Sequence, residues 1–541
     1  MRKSIKRLLA ISIVMLMVFP VVGCGNIRKM ETNSYKTNNN SVVELVFFDV
    51  KNPQNELTKY NAGLRGVSSV SKLVLRGQEE NTMPIGGYAG PDYRYQIDGK
   101  KVDLLNDTTF QLLEDCGINM IIQYGYQMRY GSEIATRTLT LADSHKINYF
   151  CYDPSINIAY TESNDVAVDS SYVGTKDEIK ASLINYSNYS YFAGFIGADE
   201  PAEASFSKIS DSWSRFNTAV SEAGLNNQGL TLYYNHMVVQ TRQEDIRMTS
   251  SKYETYLNNF IATGASYLMF DLYPMSNYQG NTKAHWGNWL NLLGLFAAMS
   301  KENNIPWWGY AQAGGNFDGA GETHTRIVSE GELNYNVNTM IAFGAKGISY
   351  FPCCAPMTFA EDERVGANDN GLINKYGQKT PRYYYAQQIN KQIQACDEYL
   401  MECNFKGVIQ TASVRGDDGN HPSIYTRPYE RNSDTYSYSK NGYGILSSVS
   451  GDNAIIGCFD YGDCYAYYVV NDSFVNNDAR ITLNFNSNHD YLIIQRGVAG
   501  TLSAKSRFGL RLAAGEGAFI LELKNTDPNA NDNTISDGFD F

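Results

Sequence analysis

The chain has 541 residues and a formal net charge of −12, with 40 tyrosines and only 19% charged residues. An acidic chain without a basic stripe among interleaved aromatics does not suit a polyanion, so nucleic acid is excluded as the expected partner. The length exceeds one ordinary domain and suits a barrel of about 250 residues with additions.

Met1-Arg2-Lys3 and Lys6-Arg7 precede an apolar run from Leu8 to Val22, followed by Gly23-Cys24. A basic start and a short apolar stretch predict a signal peptide over residues 1–23, too short for a membrane span. Val21-Val22-Gly23-Cys24 resembles the bacterial lipobox. That resemblance implies a lipidated Cys24, which would hold the protein on the extracytoplasmic face of a bacterial cell membrane through lipid alone. Residues 24–41 are rich in Asn, Thr, Ser and Lys and read as a flexible tether. Residues 42–83 are expected to add strands to a later sheet.

From residue 84 to 403 the pattern alternates between short apolar runs and amphipathic helical stretches. Strands are predicted over 84–91, 118–126, 147–154, 192–198, 230–236, 267–273, 306–312 and 347–351, each followed by a helix. Helices end on glycine at Cys116-Gly117-Ile118, Thr263-Gly264-Ala265 and Phe343-Gly344-Ala345, where a new strand begins at once. Eight such units predict a closed (β/α)8 barrel. No glycine-rich dinucleotide fingerprint follows the first strand, which disfavours a doubly wound sheet. Residues 404–524 change to period two with turn punctuation, which predicts an antiparallel β-sandwich with a packing role. Residues 525–541 are polar and acidic and read as a disordered tail. Cys458 and Cys464 could pair across a hairpin or remain free thiols.

Active sites of such barrels lie at the carboxyl ends of the strands. The fourth strand ends in Asp199-Glu200-Pro201 and the sixth in Asp271-Leu272-Tyr273-Pro274. The other strand ends offer Tyr126, Asp153, Tyr234, Asn235, His236, Trp308, Gln312 and Tyr350. Carboxylates, amides and aromatics on one rim suit a polyhydroxylated ligand, because sugar rings pack on aromatic faces while their hydroxyls need hydrogen bonds. Neighbouring side chains on a strand point to opposite faces, so Asp199 is expected to face away from Glu200 and either orient a neighbour or bind a hydroxyl. His236 is either a sugar ligand or a histidine bonded to a backbone carbonyl. No zinc-protease, nucleophile-elbow or phosphate-loop motif occurs, and the reading calls for no cofactor and no metal.

Asp199-Glu200-Pro201, Asp271-Leu272-Tyr273-Pro274, Trp307-Trp308 and Gln312, with the order of elements and the closing sandwich, resemble clan A glycoside hydrolases. The resemblance runs from about residue 84 to 524 in architecture and scattered motifs. It implies that Glu200 is the general acid, with Asp199 standing where the clan has asparagine. The clan's nucleophile is a glutamate at the end of the seventh strand, where this chain has Gln312. A glutamine is neither base nor nucleophile at neutral pH. The expected second carboxylate is therefore Asp271, then Asp199, then Asp153, with Glu330 or Glu332 reaching in only if a loop folds over. Without a glutamate at the seventh strand the reading leans towards inversion of configuration. The competing reading is a carbohydrate-binding lipoprotein with a degenerate barrel.

Overall fold

The computed structural model describes residues 35–36, 42–43, 46–48, 70–93, 95–97, 99–122, 132–151, 174–201, 203–236, 250–278, 281–284, 286–315, 324–325, 327–355, 370–411 and 442–524. The signal, Cys24, the tether apart from Tyr35–Lys36, Tyr126, Asp153 and the tail fall outside these residues; Tyr35–Lys36 pairs antiparallel with Val42–Val43. Among the described residues no helix is long and apolar enough to cross a membrane.

Eight parallel strands form the barrel: β1 (Ile85–Tyr88), β2 (Met120–Ile122), β3 (Asn148–Cys151), β4 (Phe192–Asp199), β5 (Thr231–Asn235), β6 (Leu268–Phe270), β7 (Trp307–Gln312) and β8 (Ile348–Phe351). Their order runs from β5 through β4, β3, β2, β1, β8 and β7 to β6. Eight helices alternate with them: α1 (Asp107–Asp115), α2 (Ser132–Ser144), α3 (Lys176–Tyr186), α4 (Phe206–Glu222), α5 (Ser250–Ile261), α6 (Trp286–Asn303), α7 (Glu330–Ala342) and α8 (Pro381–Leu400). The seam between β5 and β6 closes with side chains as well as backbone. His236 N donates to Met269 O at 3.1 Å, and Met269 N donates to His236 Nδ1 at 3.1 Å. The Tyr267 hydroxyl accepts from Tyr234 N at 2.8 Å and donates to Leu232 O at 3.1 Å.

Facing alternates with period two along each strand. Met120, Ile122, Phe150, Tyr233, Met269, Trp308 and Tyr310 fill the barrel interior, and Leu75 from the preceding segment joins them. Arg76 N donates to Gly229 O just before β5, which sets that segment at the amino-terminal end. Ile121, Tyr149, Phe195, Leu232, Tyr234, Phe270, Trp307 and Tyr350 face outward into the barrel–helix core. Gly194 is required where β4 meets β5: its φ is +131°, and a Cβ would lie 1.8 Å from Thr231 O.

The carboxyl-terminal sheet comprises β9 (Asn404–Gln410), β10 (Leu446–Gly451), β11 (Ala454–Tyr461), β12 (Cys464–Asn471), β13 (Ala479–Gln495), β14 (Val498–Leu512) and β15 (Gly517–Leu523). Ala479–Gln495 is one long strand: β13 pairs with β10 in its first half and with β15 in its second, so it runs through both layers of the sandwich. Val46–Phe48 adds an antiparallel edge to β14. One sandwich face shares a core with α7 and α8. Tyr335 Oη donates to Asp472 Oδ1 at 3.1 Å, Tyr468 Oη to Asn338 Oδ1 at 2.7 Å, and Gln392 Nε2 to Ile494 O at 3.0 Å. Cys458 and Cys464 are free and buried in the two different cores, so they lie on opposite faces and cannot bridge.

Candidate active site

The end of β4 builds the site. Asn235 is the register partner of Asp199, and Glu200 N donates to Asn235 O at 2.9 Å, so pairing with β5 continues one residue past the strand. Glu200 then takes φ +47°, an uncommon conformation for a residue with a Cβ. Such strained residues cluster at functional sites. The turn places both carboxylates over the barrel mouth, and the expectation that they face apart is corrected. Asp199 Oδ2 accepts from Tyr88 Oη at 2.6 Å, and its Oδ1 accepts from Asn235 Nδ2 at 3.0 Å. The Glu200 carboxyl is instead hydrogen-bonded to Asp271.

Asp271 follows β6 directly and is 9% exposed, whereas Glu200 is half-buried and opens to solvent. The segment after it is held by Gln312 at the end of β7. Gln312 Oε1 accepts from Met275 N and its Nε2 donates to Met275 O, both at 2.9 Å, which mimics a strand ladder. Gln312 N donates to Asn336 Oδ1 at 2.8 Å. The side chain is 1% exposed, so Gln312 anchors the Asp271 loop from beneath and presents no free amide to a ligand.

Aromatic rings floor the mouth. Tyr88 lies edge-on to Tyr310 (5.5 Å between centroids) and to Phe351 (5.7 Å), and Tyr273 stacks on Phe351 at 5.3 Å and 30°. Tyr233 Oη and Tyr310 Oη are hydrogen-bonded to each other. Sequence reasoning missed Tyr88 and Tyr233. Tyr88 ends β1 in the structure, a position equivalent to that of the rim residues on the other strands, whereas the predicted first strand runs on to residue 91 and hides that signal.

Burial and mutual repulsion govern the charges. Burial raises all three carboxyl pKa values. Glu200 is pushed up to about 7 by burial and then by the charge of Asp199. Asp271 is pushed well above the carboxylate range by burial and by its two acidic neighbours, and its hydrogen bond to Glu200 adds to this. Donation from Tyr88 and Asn235 opposes the rise at Asp199. Two touching carboxyls cannot both ionise readily, so Glu200 and Asp271 share one proton near neutral pH and titrate as a pair.

The remaining expected ligands sit elsewhere. Tyr234 faces outward against Trp213 (5.4 Å). Trp308 is fully buried and stacks on Tyr267 at 5.0 Å inside the barrel. Tyr350 faces α8 and donates to Asn390 Oδ1 at 2.7 Å. His236 is buried against Phe260 (4.1 Å) with its pKa pushed down to about 3 by burial; it is a neutral seam residue with a backbone partner. These four, with Gln312, are corrected from ligands to scaffold because each is buried with its contacts inside the protein. Glu332 closes a capping box with Ser329 at the start of α7, and Glu330 beside it is exposed in the same first turn. Asn235, Asp271 and Tyr273 lie at the mouth, as do Asp199 and Glu200.

The chain matches no protein-family model and none of the curated proteins. Among solved structures it is similar to an Anoxybacillus α-amylase at 10% identity, covering 83% of this chain and 100% of that one with a TM-score of 0.43. A GH30 endoxylanase from Clostridium papyrosolvens is 12% identical, with 84% and 98% covered and a TM-score of 0.37. A β-galactosidase from Marinomonas ef1 is 12% identical, with 60% and 63% covered and a TM-score of 0.40.

Proposed function

We propose that the protein is a glycoside hydrolase acting on oligo- or polysaccharide, with Glu200 as general acid/base and Asp271 as nucleophile. The observation that carries this reading is the hydrogen-bonded Glu200–Asp271 pair, which offers one proton and one carboxylate over an aromatic floor. Glycosidic cleavage needs that combination. Glu200, open to solvent, suits proton exchange with a leaving group and with water; Asp271 lies deeper.

In the free pair the shared proton leans towards Asp271. When a sugar parts the two carboxyls the proton must pass from Asp271 to Glu200 Oε, and the charge left on Asp271 Oδ is favoured by the positive charge that develops at the anomeric carbon. Asp271 then attacks the anomeric carbon and forms a glycosyl ester. The glycosidic C–O bond breaks, and its oxygen leaves as an alcohol with the Glu200 proton. Water next gives a proton to Glu200 while its oxygen attacks the same carbon, and the ester C–O bond breaks to free Asp271. Touching carboxyls are nearer the about 5 Å separation of retaining enzymes than the roughly 6.5–9.5 Å of inverting ones, so retention replaces the lean towards inversion. Gln312 does not argue for a degenerate site, since it is a loop anchor.

Attachment through a lipid on Cys24 belongs to the same reading and rests on Val21-Val22-Gly23-Cys24. Tritiated palmitate incorporated by the wild type and lost in Cys24→Ala tests it. The catalytic reading is tested by reducing-end release from a panel of plant, host and microbial glycans. Activity in the wild type that disappears in Glu200→Gln, with glycan binding kept, supports hydrolysis; tight binding without turnover by the wild type supports a binding lipoprotein.

A further inference from the structure

Asp199 takes no step in the two-carboxylate chemistry, yet it is the most firmly held acid at the mouth. Each of its oxygens accepts a hydrogen bond from a different strand, Tyr88 Oη from β1 at 2.6 Å and Asn235 Nδ2 from β5 at 3.0 Å. We propose that Asp199, locked in place as an anion by Tyr88 and Asn235, is a positioning residue that keeps one proton on the Glu200–Asp271 pair. The proposal rests on the two-carboxylate reading of this site.

Two fixed donors favour ionisation of Asp199, because donors stabilise the charged form. It adjoins Glu200 in the chain and shares Asn235 with Asp271, so its charge falls on both members of the pair. Among the described residues the titratable groups facing the three acids include Tyr88 on β1, Tyr233 on β5, Tyr310 on β7 and Tyr273 after β6. Burial raises the pKa values of Tyr233, Tyr273 and Tyr310 well above the ordinary value, so these three stay neutral, and Tyr88 donates its hydroxyl proton to Asp199. Like charges raise each other's proton affinity, and the Asp199 charge accordingly pushes up both Glu200 and Asp271.

The alternative is that Asp199 only binds a sugar hydroxyl, and Asp199→Asn separates the two roles. The substitution keeps the shape and removes the charge. The new amide fits if Asn235 turns its own amide over, since Asn235 Oδ1 has no partner among the described residues. The measurement is a pH titration of the protonated-carboxyl infrared band in the free full-length protein, which needs no substrate. The Glu200 midpoint, about 7 in the wild type, is expected to fall by about 1 pH unit in Asp199→Asn. A smaller fall in the same direction is expected in Tyr88→Phe, where Asp199 loses a donor and part of its ionisation. Thermal unfolding shows which variants fold, and Tyr88→Phe carries the test if Asp199→Asn does not. An unmoved midpoint in the folded variants overturns the proposal. Absence of glycan hydrolysis by the wild type would sink the hydrolase reading while leaving this titration interpretable. Where hydrolysis is seen, the alkaline limb of kcat moves with the midpoint, whereas a hydroxyl ligand would change KM alone.

Discussion

The carboxyl groups of Glu200 and Asp271 are hydrogen-bonded to each other across the barrel mouth, from the ends of two non-adjacent strands. One proton serves both groups, so neither can be replaced without changing the other's charge.

Glu200→Gln and Asp271→Asn are each expected to lower kcat by about 10³-fold or more while leaving circular dichroism spectra unchanged. General acid catalysis alone is worth roughly 10²–10⁴-fold, and loss of the nucleophile costs at least as much. Steady-state rates on the glycan found in the panel check this; a variant with wild-type kcat would remove that residue from the chemistry.

Stability should depend on pH through the same pair. Glu200 holds its proton more tightly when folded, at about 7, than at its ordinary 4.5. Its contribution to stability is complete below 4.5 and is lost as pH rises through 7. Glu200→Gln removes that loss, so relative to the wild type it should gain stability between pH 5 and pH 8 by on the order of 2 kcal/mol, a tenfold change in proton affinity being worth about 1.4 kcal/mol. Urea unfolding at the two pH values measures it, and a wild type equally stable at both relative to Glu200→Gln would contradict it.

Gln312→Glu places a carboxylate at the end of the seventh strand, where the clan A enzymes that the sequence resembles carry one, yet it should not raise activity. The new carboxylate would lose the donor to Met275 O and face that carbonyl in a fully buried place. We expect a cost of about 3 kcal/mol and lower kcat, because the loop that carries Asp271 loosens. A stable, more active variant would show that position 312 reaches the substrate.

Tyr267→Phe tests the seam between β5 and β6. It leaves Tyr234 N without its partner and should destabilise by about 1–3 kcal/mol with KM unchanged. Denaturant melts and KM on the same preparation decide; an altered KM would mean the seam reaches the mouth.

The barrel and the sandwich were legible because a change of hydrophobic period, glycine-ended helices and turn residues are local signals. Asp199, Glu200 and Asp271 were legible as rim residues because each directly ends or follows an apolar run. The inward face was not. Parallel barrel strands are apolar on both faces, so alternation says that Tyr233 and Tyr234 differ without saying which one looks in. The strand end points to Tyr234 at the mouth, while in the fold Tyr233 occupies the interior.

By itself the sequence determined the kinds of element, their order and the acids at their ends, since these depend on neighbours a few residues away. Tertiary structure alone decided which acids meet. Glu200 adopts a left-handed backbone because its N–H pairs with Asn235, and Gln312 becomes a clamp because Met275 lies beside it. Both outcomes depend on partners 35 and 37 residues away in the chain, a distance over which no local propensity acts.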